Sequence, residues 1–258
     1  LMISAYGKAF AALGNESYRE MAIRQAEFIL EKMAGTGMFR LYHTYKNGNA
    51  RIPAFLDDYA CLIEALIQLQ EITGETSHLI RARELTEYVI SEFSEAESGY
   101  FFYTNKGQHD VIIRKREVYD GALPSGNAVM ASNLFYLSVV FDIREWRERA
   151  ISNCAMLAES VIKYPSSFGL WATLLQTITY GMNEIVMIGE DPEPLRKEFL
   201  NHYIPARVYQ SGTPKNDQFP LLKNKPLASH TLIFLCKEYS CQNPVTEVHE
   251  LVRLLENM

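Results

Sequence analysis

The feature that most limits what this chain can fold into is an internal repeat. Gly14-Asn15-Glu16-Ser17-Tyr18 returns as Gly74-Glu75-Thr76-Ser77-His78, and the segments that follow stay in step: Ala22 falls on Ala82, Glu27 on Glu87, Phe28 on Tyr88, Ile29 on Val89 and Met33 on Phe93. Apolar residues at helical spacing in both copies read as two amphipathic helices. A weaker third copy sets Trp146, Ala150, Cys154 and Leu157 where Tyr18, Ala22, Ala26 and Ile29 stand, inside the segment Asp142 to Tyr164. A repeat of this size is one supersecondary unit that cannot bury its apolar face alone, so neighbouring copies have to stack.

Each repeated helix follows a more apolar one: Leu1 to Leu13, Leu56 to Ile72, and Ser125 to Phe141. A helix that is apolar around most of its circumference is buried on several sides, whereas its Arg- and Glu-bearing partner needs one buried face. Inner and outer helices are therefore expected. The connections from an outer helix to the next inner one, 37–53 and 99–124, are long and aromatic, and loops of that length in a compact domain are usually functional. Within the second, Tyr100 to Tyr103 and Val111 to Ile113 read as a short β-hairpin around Asn105-Lys106-Gly107. After Tyr164 one more apolar helix, Phe168 to Tyr180, leads into strands at Glu184–Gly189, Ala206–Tyr209 and Thr231–Cys236, with helices at Pro192–Asn201 and Val245–Leu255, an alternation that suggests a small α/β appendage. Gly212 to Pro226 reads as a surface loop.

Composition excludes some partners. With 258 residues the chain can bury a sizeable core, and at 22% charged residues and a net charge of −6 it has no basic field to hold a nucleic-acid backbone or an anionic membrane. No run approaches the length of a membrane helix. Leu1 to Tyr6 is helix-like sequence with no cap before it, as if the chain were entered inside a helix. The four cysteines, Cys61, Cys154, Cys236 and Cys241, are too few for a disulfide framework and lack zinc spacing, which fits a reducing cytoplasm. Cys236 and Cys241 carry two readings: a redox or structural disulfide, or two reduced thiols in a strand and its following loop, the second being preferred in that compartment. Ile188-Gly189-Glu190-Asp191 lacks the glycines of a dinucleotide site, and no cofactor or metal is expected.

Three ordered stretches, Ile52-Pro53-Ala54-Phe55-Leu56-Asp57-Asp58-Tyr59-Ala60, Arg114 to Asn127, and Leu235 to Thr246, together resemble the spermatogenesis-associated protein 20 family, whose bacterial members are often labelled thioredoxin-domain proteins. The resemblance implies a parent with an N-terminal thioredoxin-like domain followed by an (α/α)6 toroid of the six-hairpin glycosidase and sugar-epimerase superfamily. The expected fold is then mainly α: a partial toroid of helical hairpins over 1–182, with short β-hairpins, and a small α/β region over 183–258. A half toroid exposes the flanks of its end hairpins, so self-association is expected.

Candidate site residues sit where connections meet inner helices. Asp57 and Asp58 begin one such helix and Asp120 precedes another, so each is either a cap for exposed helical N–H groups or a carboxylate facing a funnel. Glycoside hydrolysis needs paired carboxyls about 5 to 10 Å apart, one an acid and the other a base or nucleophile. Tyr59, Tyr119, Arg51, Arg114, Lys115, Ser125 and Asn127 are the accompanying candidates for ligand contact, against packing, solvated charge and helix capping as their ordinary uses. An epimerase would need bases on inner helices. His43 and His109 instead lie in connections, and His78, His202, His230 and His249 on outer or appended segments. The expected function is carbohydrate binding or processing; a non-catalytic scaffold toroid beside a thioredoxin-like domain is the alternative, and thiol exchange at Cys236 and Cys241 a third reading.

Overall fold

The computed structural model describes residues 1–35, 39–108, 111–212, 218–226 and 228–256. The chain is mainly helical, with two small sheets. Three helical hairpins come first: α1 (Met2–Leu13) with α2 (Glu16–Lys32), α3 (Leu56–Thr73) with α4 (Ser77–Phe93), and α5 (Gly126–Phe141) with α6 (Arg144–Lys163), followed by α7 (Gly169–Tyr180). The tight turns between hairpin arms need a left-handed residue, and Gly14 (φ 66°) and Gly74 (φ 78°) supply it without a Cβ penalty. In the third copy Asp142 takes that conformation at φ 54°. A polar residue that tolerates the left-handed region replaces glycine there, which is why this copy is the weaker one in the sequence.

The apolar helices α1, α3, α5 and α7 pack on one another in sequence, and α2, α4 and α6 lie on the outside of that row. Burial follows the expected division: α5 is buried along nearly its whole length, while α2 buries only Ala22 and Ala26. Trp171 on α7 is fully buried, with its Nε1 donating to the Val118 carbonyl at 2.8 Å.

The long connections differ from expectation. The β-hairpin is the first one, β1 (Tyr42–Lys46) against β2 (Asn49–Pro53), turning at Asn47-Gly48. In the second connection the described residues form no hairpin, and 109–110 lie outside the description, His109 among them. The backbone there is held by side chains instead. Buried Asn127 accepts from the Phe101 N–H at 2.8 Å and donates to the carbonyls of Phe101 and Glu117 at 2.9 and 2.8 Å, acting as a one-residue strand partner. Arg149, half-buried with its guanidinium 4.0 Å over the Phe101 ring, donates to the carbonyls of Gly99 and Tyr100.

The C-terminal part is a four-stranded sheet of order β4-β3-β5-β6, from β3 (Asn183–Ile188), β4 (Arg207–Gly212), β5 (Leu232–Lys237) and β6 (Ser240–Cys241). β3 and β4 are parallel across helix α8 (Glu193–Leu200), and β5 and β6 continue antiparallel. Strand β4 packs on α3 and α5, and α8 on α1 and α3. Two boundaries shift. Helix α9 (Val248–Glu256) starts after Val245 because Val245 exchanges both backbone hydrogen bonds with Ile233. The expected surface loop 212–226 has 213–217 outside the description, but Phe219, Leu221 and Leu222 are buried, Phe219 lying 5.4 Å from the Phe141 ring.

Replacing Asn127 by Ala leaves two carbonyls and one N–H without that partner, and should cost about 2–4 kcal/mol in denaturant unfolding. A loss below about 0.5 kcal/mol would show that the clamp is not holding the connection.

Candidate functional site

Helices α3, α5 and α7 all begin at the same end of the row, and carboxylates join their first turns. The Asp57 carboxylate, in the first turn of α3, lies beside the N–H of Gly126, the first residue of α5, which favours its ionised form. The approach is so close that a Cβ at position 126 would displace the Asp57 carboxylate and press on the Leu56 side chain. Asp120 is buried and accepts from the Ser125 N–H with one oxygen and from the Leu170 N–H, at the start of α7, with the other, both at 2.9 Å. Two acids, one from the first turn of α3 and one from the second connection, therefore meet at the N-terminus of α5. Each satisfies N–H groups that a helix start leaves open, and each sits at a positive dipole end.

Asp58 occupies the third position of α3 and reaches back to the Phe55 N–H at 2.8 Å, while its carboxylate also meets His43 Nδ1 at 2.8 Å. Around Asp57 and Asp58 gather Glu117 and Tyr103, near enough to act on them electrostatically. Asp57 faces solvent, yet the surrounding protein partly desolvates it, and this together with the charges of Asp58 and Glu117 raises its carboxyl pKa above the usual 3.8. Crowding by the protein and the two aspartates likewise raises the Tyr103 pKa.

The remaining candidates divide by burial. Tyr59 is 1% exposed, packed against Tyr88 and Phe93, with its hydroxyl accepting from the Leu41 N–H at 2.8 Å; it belongs to the core, not to a ligand surface. Ser125 caps α5 through the Ala128 N–H, and Asn127 is the clamp on Phe101. The Arg114 guanidinium lies 4.2 Å over the Phe102 ring and donates to the carbonyls of Thr104 and Glu92. Arg51, Lys115 and Tyr119 are exposed, and the Tyr119 hydroxyl donates to Ser167 Oγ at 2.7 Å. Cys236 and Cys241 form a disulfide between β5 and β6, which overturns the preference for two reduced thiols. The strand register sets the two residues opposite each other, a proximity that spacing alone did not reveal.

A cleft of about 630 Å³ runs along the open side of the helix row. Its walls come from α1, α3, α5 and α7, and one end is formed by residues from Leu200 to Arg207. Helix α3 contributes Glu64, Gln68 and Glu71, and α1 contributes Lys8. Asp57, Cys61, Glu64, Gln68 and Glu71 follow one another at helical spacing, a polar stripe on a helix that is otherwise largely apolar. That pattern was available in the sequence and points to the cleft. At its base the Glu71 carboxylate pairs with Arg207 at 3.0 Å and accepts from the Tyr136 hydroxyl at 3.2 Å, joining β4 to α3 and α5. His202, on the appended segment, also lines the cleft. Glu64 and Lys8 have no side-chain hydrogen bond or ion pair with another described residue. Among the described residues no group of three or more His, Cys, Asp or Glu is placed to hold a metal ion, and no helix is long and apolar enough to cross a membrane.

No family model matches the sequence. An uncharacterized protein of Caenorhabditis elegans is 29% identical over 268 residues, covering 98% of this chain and 36% of the relative. Spermatogenesis-associated protein 20 of Rattus norvegicus and that of Homo sapiens are each 26% identical over 274 residues, covering 99% of this chain and 35% of the relative. Over nearly its whole length the chain is similar to spermatogenesis-associated protein 20. It spans about a third of the length of the curated relatives it matches. The three stretches that resemble the spermatogenesis-associated protein 20 family fall at defined places: the first two enter α3 and α5, where Asp57 and Asp120 join the helix starts, and the third carries the disulfide.

The Asp57 environment fixes the sign of a pH effect. A carboxyl whose pKa is higher folded than unfolded destabilises the fold when ionised, and that penalty is relieved as pH falls through the folded pKa towards the unfolded one. Asp57→Asn should therefore gain most over the unmodified protein near pH 7 in denaturant unfolding, with the gain shrinking towards pH 4. A difference that stays constant with pH would contradict the raised pKa.

Proposed function

We propose that this chain is a ligand-binding unit built from part of a helical toroid, with residues 1–182 as its hairpins and 183–258 as a smaller region at one end, and that its ligand is a carbohydrate or similar polyhydroxy compound held in the cleft. One observation carries the reading: the cleft presents Glu64 and Lys8 without partners among the described residues, whereas Asp120 has both oxygens engaged by backbone N–H groups. A volume of about 630 Å³ is in the range of small-molecule sites. The lining sets Phe135, Tyr136 and Ile67 beside carboxylate, ammonium and amide groups, a mixture suited to a sugar's apolar faces and hydroxyl edges. The acids at the helix starts then serve the architecture, and the unit acts as a binding scaffold beside the thioredoxin-like domain that the family resemblance implies.

Asp57 favours a second reading. Its carboxyl is shifted towards the protonated form, while Asp58 next to it accepts a backbone N–H and meets His43. A carboxyl held towards its acid form beside a second carboxyl is the kind of pair that glycoside hydrolysis uses.

Titration calorimetry with neutral mono- and disaccharides separates the two. Binding is expected in the unmodified chain, weakened about tenfold by Glu64→Gln or Lys8→Met, the loss of roughly one charge-assisted hydrogen bond, and unchanged by Asp57→Asn. Absence of binding to any sugar would end the carbohydrate reading. Hydrolysis of aryl glycosides that Asp57→Asn abolishes would replace the scaffold by an enzyme.

A further inference from the structure

The disulfide at the sheet edge has features that a simple staple does not need. Cys236 and Cys241 are five residues apart, and closing so short a loop constrains the unfolded chain less than a long one would. The turn between them is already fastened to the helices: Glu238 pairs with Arg147, the Tyr239 N–H donates to Glu184 Oε2 at 2.9 Å, and the Tyr239 hydroxyl donates to the Val139 carbonyl at 2.9 Å. The two sulfurs are also unlike. Cys236 is 1% exposed, whereas Cys241 is only half-buried, and Lys225 Nζ stands 3.0 Å from Cys241 Sγ.

We propose that Cys236–Cys241 is a thiol-exchange site, with Cys241 Sγ as the sulfur attacked and a dithiol as the reductant. The incoming thiolate bonds to Cys241 Sγ as the sulfur–sulfur bond breaks, and Cys236 leaves as a thiolate that takes up a proton. The second thiol of the reductant, deprotonated, then attacks its own sulfur in the mixed disulfide and releases Cys241 as a thiolate. Two electrons pass to the protein and the reductant ends as a disulfide. Burial bars direct attack on Cys236, and Lys225 supplies positive charge where the anionic nucleophile arrives.

Glu184 works in the opposite sense. It is 3% exposed and stands opposite Cys236 in the antiparallel β3–β5 register, so the two side chains leave the sheet on the same face and a negative charge there opposes a second one on the leaving sulfur. Burial raises the Glu184 pKa and lowers that of Lys225, in keeping with two charges of opposite sign placed in the protein around one bond.

The test uses the full chain under native conditions, with reduced glutathione to trap the mixed disulfide and dithiothreitol to measure the rate, read by alkylation and peptide mass mapping. The site predicts glutathione on Cys241 and not on Cys236. It further predicts that Lys225→Met slows reduction by about three- to tenfold and that Glu184→Gln, which keeps an acceptor for the Tyr239 N–H, speeds it by a similar factor. Glutathione on Cys236, reduction only at denaturant concentrations that unfold the chain, or rate changes of the same sign in both variants would overturn it. So would alkylation of both cysteines without any reductant.

Discussion

Everything in this structure depends on setting the starts of α3, α5 and α7 side by side. Parallel helix starts bring together positive dipole ends and unpaired N–H groups, an arrangement that repels itself unless anions lie between them. Asp120, between α5 and α7, provides such an anion with both oxygens hydrogen-bonded. Asp57, between α3 and α5, lies beside the Gly126 N–H but is less favoured as an anion, because partial desolvation and the neighbouring acids raise its pKa. The spacing of the helix row, and with it the width of the cleft on its open side, follows from these contacts.

The cleft has a different electrostatic character along its length. Near its base, Glu71, Arg207 and Tyr136 satisfy one another and tie the sheet to the helices. Burial and the neighbouring Glu71 raise the Tyr136 pKa, which keeps its hydroxyl a donor. Further along, Glu64 and Lys8 have no such partners among the described residues. A polar stripe on an inner helix thus serves structure at one end and, in the proposed function, recognition at the other.

The helical hairpins are legible because their determinants are local: apolar spacing, a residue suited to the left-handed turn, and caps at Asn15 and Ser125. Ser125 and Gly74 do what their positions imply. The second connection was misread because Asn127, distant in sequence, replaces the strand partner that Tyr100 to Tyr103 suggested. Tyr59 looked like a ligand contact at a helix start, but facing aromatic residues from α4 enclose it. The acids were found and their dual character anticipated, yet which N–H each accepts depends on helix neighbours that spacing cannot supply. Glu64 and Gln68 carry no sequence signal beyond their periodic stripe, and such a stripe reads equally as the solvated face of a helix.

The central claim is that the cleft along the helix row is the ligand seat and the aspartates at the helix starts are its framework. The most direct test is amide chemical-shift mapping during titration of the chain with a neutral disaccharide. Perturbations are expected along Lys8, Glu64, Gln68 and Thr173. Perturbations confined to His43, Asp57, Asp58 and Glu117 would contradict the account and move the site to the helix starts.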